Sequence, residues 1–216
     1  MSRVIIFGVQ DFAQLAHYYL RKDSPHEVVA FTVHERYLPP GGTFDGLPVY
    51  PFESLSARFP PSEVKLFAPM SNQRMNRLRA AVYQEIKSRG YELISYVSSR
   101  ASVFDNPIGD NCFILEDNTL QPFTRIGNNV VLWSGNHIGH HGEIKDHVLF
   151  TSHVVMSGHC TIDPYCFLGV NATLRDGIKL AEGTCVAMGA LVTKSTEAWG
   201  LYMGAPAKRI KSSDED

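Results

Sequence analysis

The chain has 216 residues, enough for one large or two small domains, and 44% of them are apolar, so it buries a core and has no compositional reason to be disordered. Its formal net charge of −2 gives no bulk electrostatic case for a nucleic-acid partner or an anionic membrane, and no apolar run approaches the ~18 residues of a membrane span. The N-terminal MSRVIIFG is too short an apolar run for a signal peptide, and four cysteines without a CxxC pair fit a reduced, cytoplasmic setting.

VIIFG (residues 4–8) is a short apolar run ending in glycine and predicts a first buried strand. DFAQLAHYYLRK follows with helical spacing: Phe12, Leu15, Ala16 and Tyr19 share a face, and Asp11 is the N-cap candidate. VVAFTV (28–33) is β-branched and apolar, a second buried strand, and the Pro/Gly-rich LPPGGTFDGLP is a turn region. VKLFA (64–68) predicts another strand, and residues 72–89 a helix ending at Gly90, a suitable glycine just past a helix terminus. ELISYV closes the unit. Strands alternating with helices at this spacing imply a small parallel α/β domain over residues 1–104.

From there to residue 216 the pattern changes. Taken in sixes from Ile108, the chain reads Ile108, Ile114, Leu120, Ile126, Leu132, Ile138, Ile144, Phe150, Met156, Ile162, Leu168, Leu174, Leu180, Val186, Val192. All fifteen are large and apolar without an insertion, where a 44% apolar composition would fill fewer than half by chance. Neither a helix nor an alternating strand confines its apolar residues to every sixth place, so this is the hexapeptide repeat of a parallel β-helix. The fourth residue after each large one is small or medium, apart from Ile178, as a tight prism interior needs. Cys112, Cys160 and Cys166 fall there and read as packed thiols. Three hexapeptides make one triangular coil, so fifteen make five coils, stacked at ~4.8 Å, and residues eighteen apart become neighbours.

IGHHGEIKDHVLFTSHVVMSGHCTI (138–162) holds five of the nine histidines, with His137 just ahead of it. His141, His147, His153 and His159 are spaced by six, so three of them visit three different edges, and only His141 and His159 share one. The gamma-class carbonic anhydrases, also hexapeptide β-helices, hold a metal with a pattern that includes two histidines five residues apart. No pair here has that separation, so no metal site is expected. General-base catalysis by neutral imidazole is the other reading. Eighteen beyond His140 is Gly158, so a bare backbone sits one coil above that imidazole. A base beside a glycine with an accessible N–H resembles half of an acyl-transfer site.

A small N-terminal α/β domain followed by an uninterrupted hexapeptide prism resembles the sugar acyltransferases related to the bacillosamine-pathway and sialic acid acetyltransferases. The resemblance covers nearly the whole chain and is most specific in IGHHGEIKDHV, CFLGVNATLRDGIKLAEGTCVAMGALVTK and GLYMGAPAKRI. It implies a Rossmann-like domain ahead of a left-handed β-helix, and homotrimers with active sites between subunits. The family's His-acidic dipeptide falls on His140 and His141, which makes His140 the base and leaves an imidazole where the family has a carboxylate. The glycine whose amide touches the thioester falls on Gly158. Acyl-CoA, with an acetyl or longer acyl group, is then the cosubstrate and runs past Val170 and Ala187 to Gly189. GAPAK, with Pro206 and Lys208, closes over it, and Lys194, Lys208 and Arg209 are candidates for its phosphates.

In these enzymes the first domain holds the nucleotide of a nucleotide-linked amino sugar. The corresponding loop is GVQDFAQ, with Gly8, Gln10, Asp11 and Phe12, and it lacks the further glycines of a dinucleotide fingerprint. Val33, His34 and Glu35 follow the second strand, where base or ribose would be read. Trp133 and Ser134, just before the histidine pair, are candidates for the sugar pocket. The expectation is an acyl-CoA-dependent N-acyltransferase of cell-surface polysaccharide synthesis. Its alternatives are a sugar O-acetyltransferase or a non-catalytic prism that binds acyl-CoA or nucleotide sugar.

Overall fold

The computed structural model describes residues 1–214, which form two compact units. The first is Met1–Ser71 with Ala81–Tyr96, and the second is Asn72–Ala80 with the chain from Val97 onward.

The first unit contains β1 (Arg3–Phe7), α1 (Asp11–Asp23), β2 (Glu27–Val33), β3 (Thr43–Phe44), β4 (Leu47–Pro51), α2 (Leu55–Arg58) and β5 (Lys65–Phe67). The sheet order is β3-β4-β2-β1-β5, and β4, β2, β1 and β5 are all parallel. Val4, Ile5 and Ile6 are fully buried, as the unbroken apolar run of a strand covered on both faces requires. β4 lies inside the stretch expected to be a turn. The Asp45–Gly46 pair, at φ 45° and 80°, folds that stretch into a hairpin with β3, because an Asp-Gly turn tolerates positive φ at both places.

Helix α1 is where expected, but its N-cap is Gln10 and Asp11 lies in its first turn, beside the partial positive charge of the helix end. Its buried face is Ala13, Ala16, His17 and Leu20, while Phe12, Leu15 and Tyr19 are half-buried. The two alanines let the helix approach the sheet closely, and the bulky residues flank the contact. α3 (Arg77–Ser88) starts later than the predicted residue 72. Arg74, Met75 and Asn76 have φ of 51°, 49° and 64°, a left-handed turn that delays the right-handed helix. Gly90, at φ 82°, ends it as expected.

The continuous part of the second unit runs from Val97: Ser98 N–H donates to Ile114 O at 2.9 Å and Ser102 N–H to Asn118 O at 2.8 Å, so the chain around residues 98–102 pairs with the prism. Two-residue strands then recur every six residues from Phe113–Ile114 to Leu191–Val192. They form three parallel sheets with partners eighteen apart. The first sheet stacks Val131 on Phe113 and under Leu149, the second stacks His137 on Thr119 and under Val155, and the third stacks Glu143 on Arg125 and under Thr161. Ile108 bridges to Ile126 and completes five coils.

Every hexad position except the half-buried Ile108 is at most 4% exposed, and all the small positions four residues on are buried. Each such large aliphatic side chain contributes ~1.5–3 kcal/mol by leaving water. Where Gly142 leaves room, the Met156 terminal methyl fills it, 2.4 Å from where a glycine Cβ would stand. Asn118 and Asn136 stack on adjacent coils: Asn136 Nδ2 donates to Asn118 Oδ1 at 2.9 Å, and Asn136 Oδ1 accepts from Val154 N–H at 2.8 Å.

The corner between the third and first sheets is closed by Asn76 and Arg79 of the same unit. Asn76 Nδ2 donates to the carbonyls of Tyr165 and Cys166, and the fully buried Arg79 donates to those of Asn129, His147 and Val148. Burial pulls the Arg79 pKa down to about 9. After the last coil, Gly200–Met203 and Lys208–Ser212 form an antiparallel hairpin whose tip carries GAPAK.

Candidate active site

The turn at each prism corner explains most of the histidine crowd. Residues 105, 111, 117, 123, 129, 135, 141, 147, 153, 159, 165, 171, 177, 183 and 189 all have positive φ, between 51° and 78°. Left-handed backbone at every sixth residue selects glycine, or asparagine, aspartate and histidine among the rest. His141, His147, His153 and His159 occupy four of these places. Their spacing is a conformational signature, and their chemistry depends on what each meets one coil away.

His147 meets Asn129, with Nδ1 2.9 Å from Asn129 Nδ2, and stacks on Tyr165. It is buried, and burial followed by the nearby Arg79 charge lowers its pKa to about 4. His153 lies over Gly135, whose missing Cβ would stand 2.7 Å from the ring. Neither meets another histidine.

The corner between the second and third sheets is different. The His140 ring lies over Gly158, where an added Cβ would come within 2.8 Å of Cε1 and 2.9 Å of Nε2. Gly158 O accepts from Gly177 N–H at 2.9 Å, and among the described residues nothing accepts from Gly158 N–H. Gly139 packs against the 157–158 peptide so closely that a Cβ would stand 2.6 Å from Gly158 N. Glycines at both places thus bring the His140 coil and the Gly158 backbone together.

His140 Nδ1 is 3.0 Å from His141 Nδ1, so one of these nitrogens carries the shared proton. Gln121 Oε1 accepts from the His140 backbone N–H at 3.0 Å. His141 is sandwiched between Phe123 and His159, with ring centroids 4.7 and 5.0 Å away. Gln121, Phe123 and His159 were absent from the expected site. The eighteen-residue register holds the signal for two of them, since 123, 141 and 159 are consecutive rungs. The same register, which puts His141 and His159 on one edge, brings His140 to them as well.

The expected acyl-CoA residues lie elsewhere. Val170, Ala187 and Gly189 occupy the corner between the first and second sheets, with Gly189 N–H bonded to Val170 O at 2.8 Å and Ala187 N–H to Tyr202 O at 2.9 Å. Trp133 and Ser134 are on that same corner, nearer the start of the prism, where Ser134 Oγ donates to Glu116 Oε1 at 2.8 Å. They do not adjoin His140. Pro206 and Lys208 are exposed at the hairpin tip, which is tied down by Leu191 N–H to Gly204 O at 3.0 Å and Ala207 N–H to Leu191 O at 2.7 Å. Lys194 is exposed just beyond the last strand of the second sheet.

In the first unit Gly8 has φ 129° and donates to Thr32 O at 2.9 Å, turning the chain from β1 toward α1. Gln10 caps α1, Asp11 is exposed, and Phe12 is half-buried. Val33 is buried at the end of β2, beside His34. His34 places Nδ1 3.1 Å from Glu53 Oε1 and Nε2 3.4 Å from Glu85 Oε2. Glu53 also accepts from Glu35 N–H at 3.0 Å. Backbone N–H groups and His34 hold its carboxyl below the usual range. The acidic groups around His34, Glu53 and Glu85, therefore arrive from two separate segments. A shallow cavity of about 590 Å³ opens there, lined by His34, Glu35, Arg36 and Glu53.

No protein-family model matches the sequence, and neither does any curated protein. Solved structures do match in three dimensions. The acetyltransferase domain of PglB from Neisseria gonorrhoeae superposes with a TM-score of 0.83 at 16% identity, covering 97% of this chain and all of that one. PerB from Caulobacter crescentus, solved with CoA and GDP-perosamine, gives 0.84 at 20% identity over 98% of each chain. WeeI from Acinetobacter baumannii gives 0.81 at 19% identity, covering 97% of this chain and all of that one. The expected small α/β unit with a left-handed β-helix is borne out by these likenesses. The chain shares the fold of these hexapeptide-repeat acetyltransferase structures over 97–98% of its length.

Proposed function

We propose that the chain is an acyl-CoA-dependent N-acyltransferase that acylates the amino group of a nucleotide-linked amino sugar. The observation that carries this reading is the imidazole of His140 lying over the bare Gly158 backbone. PerB's complex with CoA and GDP-perosamine, and the PglB domain's complex with acetyl coenzyme A, support the substrate classes. The UDP-N-acetylglucosamine O-acyltransferase of Moraxella catarrhalis covers only 57% of this chain, so the full-length likenesses favour the N-acyltransferase over its O-acyl alternative.

The chemistry follows from the pair. With His140 Nδ1–H donating to His141 Nδ1, Nε2 keeps its lone pair. The sugar amine attacks the thioester carbonyl, and Nε2 accepts the proton that the amine nitrogen loses. Gly158 N–H donates to the carbonyl oxygen as it gains charge. Collapse expels CoA, whose sulfur takes the proton back from the His140 imidazolium. His141 orients the ring, as a carboxylate would, without its charge.

The assembly reading rests on which corners carry which residues. His140 and Gly158 flank one side of the second sheet, and Val170, Ala187 and Gly189 flank the other. One chain therefore presents two half-sites. A ring of three copies with the second sheet toward the axis brings the His140 corner of one copy against the Val170 corner of the next. The outward residues of that sheet suit this place: Thr119, His137, Val155, Thr173 and Leu191, against Arg125, Glu143 and Lys179 on the third sheet. The first unit holds the nucleotide at the Gly8 turn and the His34 cavity, and the enzyme works in cytoplasmic synthesis of cell-surface polysaccharide. A thiol-release screen of acetyl-CoA and longer acyl-CoAs against nucleotide-linked amino sugars tests the reading. No release with any pair, from folded protein, overturns it.

A further inference from the structure

Three imidazoles converge at the corner between the second and third sheets. One nitrogen from each of His140, His141 and His159 lies within 4.8 Å of the other two. The His141 and His159 rings are nearly parallel, at 15°, and His140 stands across both at 88° and 89°. Left-handed backbone at His141 and His159, with φ 55° and 59°, fixes these side chains one above the other on successive coils. His159 N–H donates to His140 O at 2.9 Å, so the ladder of the prism also holds the first histidine to the third. Only side-chain rotation remains free.

We propose that this cluster is a binding site for a divalent transition ion of the zinc class, with three neutral imidazoles as ligands and the fourth position open. Imidazole suits zinc, copper and nickel, and the cluster contains no carboxylate to favour magnesium or calcium. Zinc–nitrogen bonds of ~2.0–2.1 Å at tetrahedral angles place ligand nitrogens ~3.4 Å apart. The His140 and His141 nitrogens, 3.0 Å apart, already stand near that separation. The third has to close by no more than ~1.4 Å, which rotation of exposed rings supplies. An ion on His140 Nδ1, the nitrogen 3.0 Å from His141, leaves that ring's one proton on Nε2, so the lone pair that accepts the substrate proton is no longer free. Metal binding therefore silences the base, a consequence that rests on the proposed acyltransfer, whereas ion binding itself does not.

The experiment uses the full chain without a histidine tag, stripped with a chelator, and titrates Zn²⁺ against a chromophoric chelator in the absence of substrates. Asparagine tolerates the left-handed backbone, so His141→Asn and His159→Asn remove ligands and keep the corners. One ion per chain is expected, weakened more than ~10-fold in each variant, the smallest loss expected when even an outer partner of a metal ligand is removed. His153→Asn, at a corner without other histidines, should leave affinity unchanged, and Mg²⁺ should not compete. Co²⁺ should give the absorption of a tetrahedral site in the wild type and lose it in both variants. Equal zinc affinity in the wild type and the His141→Asn/His159→Asn double variant overturns the proposal. Zinc binding without any acyltransfer activity leaves this site standing and counts only against the enzymatic reading.

Discussion

Gly158→Ala separates catalysis from folding at the candidate site. The new Cβ would stand 2.8 Å from His140 Cε1 and 2.9 Å from Nε2, where carbon contacts prefer ~3.5–4.0 Å, so the imidazole has to move by about 1 Å. Gly158 is not among the positive-φ residues, so alanine accepts its backbone, and the atoms it meets are the end of an exposed side chain. Stability should therefore change by no more than ~0.5 kcal/mol, as at ordinary surface positions. Displacement of a base by 1 Å costs on the order of 10²-fold in rate, and turnover should fall by about that much. The assay is CoA thiol release with saturating acyl-CoA, beside a thermal melt. In a His140→Ala background, where turnover is already down by roughly 10²-fold, Gly158→Ala should add little, because both remove one interaction. Near-normal turnover in Gly158→Ala, or equal losses in both backgrounds, would refute the claim that His140 acts over this glycine.

Asn136→Ala leaves the buried Val154 N–H without its acceptor, while Trp133 O keeps Asn118 Nδ2 and Asn118 Oδ1 keeps the backbone N–H of residue 136; one buried orphan should destabilise by ~1–3 kcal/mol in denaturant unfolding at fixed protein concentration, and a loss below ~0.5 kcal/mol would contradict the ladder. His147, lowered to about 4 by burial, binds its proton more weakly folded than unfolded, so its contribution is complete above pH ~6.5 and is lost as pH falls toward 4, by ~3 kcal/mol in all. His147→Asn should flatten that part of the stability profile, and an unchanged slope would show that another group sets it. Light scattering should find three copies, and a monomer at assay concentration would sink the shared site. Co-assembly of inactive His140→Ala and Val170→Glu chains should restore activity at about a quarter of the corners, since each copy lends its intact half-site to the other; no recovery from verified mixed trimers would place both halves in one copy.

Much of the second unit was legible because its constraint is periodic and local. An apolar residue every sixth place fixes what points inward, and the eighteen-residue repeat then puts Asn118 on Asn136 and His140 against Gly158. The first unit was less legible. β4 hid behind flanking prolines and glycines, and the late start of α3 depends on the left-handed turn at Arg74–Asn76, for which the sequence offers no glycine. Contacts set by tertiary packing were also out of reach. The Arg79 guanidinium, on the predicted helix, is fully buried against backbone carbonyls. His34 carried a sequence-level signal as a strand-end residue, but its partners Glu53 and Glu85 come from distant segments with no pattern to link them.

The histidines show how a fold constraint and a chemical site come to share one sequence pattern. The corner's left-handed place admits histidine at little backbone cost, so a run of them spaced by six needs no functional cause. Function requires a further coincidence, which occurs at one corner. There, position 140 lies just before the left-handed place and faces glycine on the next coil, while positions 141 and 159 are rungs of one ladder. Having histidine instead of a carboxylate at position 141 has two effects with one cause. It removes the charge that would raise the basicity of His140, and it adds a lone pair that, with His159, completes a trio of metal-ligating nitrogens. An acidic residue at 141 should therefore strengthen the base and shift ion preference away from zinc. His141→Asp tests both effects in one protein: the apparent pKa of turnover should rise and zinc affinity should fall. A rise in the pKa with zinc affinity unchanged would separate the base from the metal site and leave the trio without its proposed ligand.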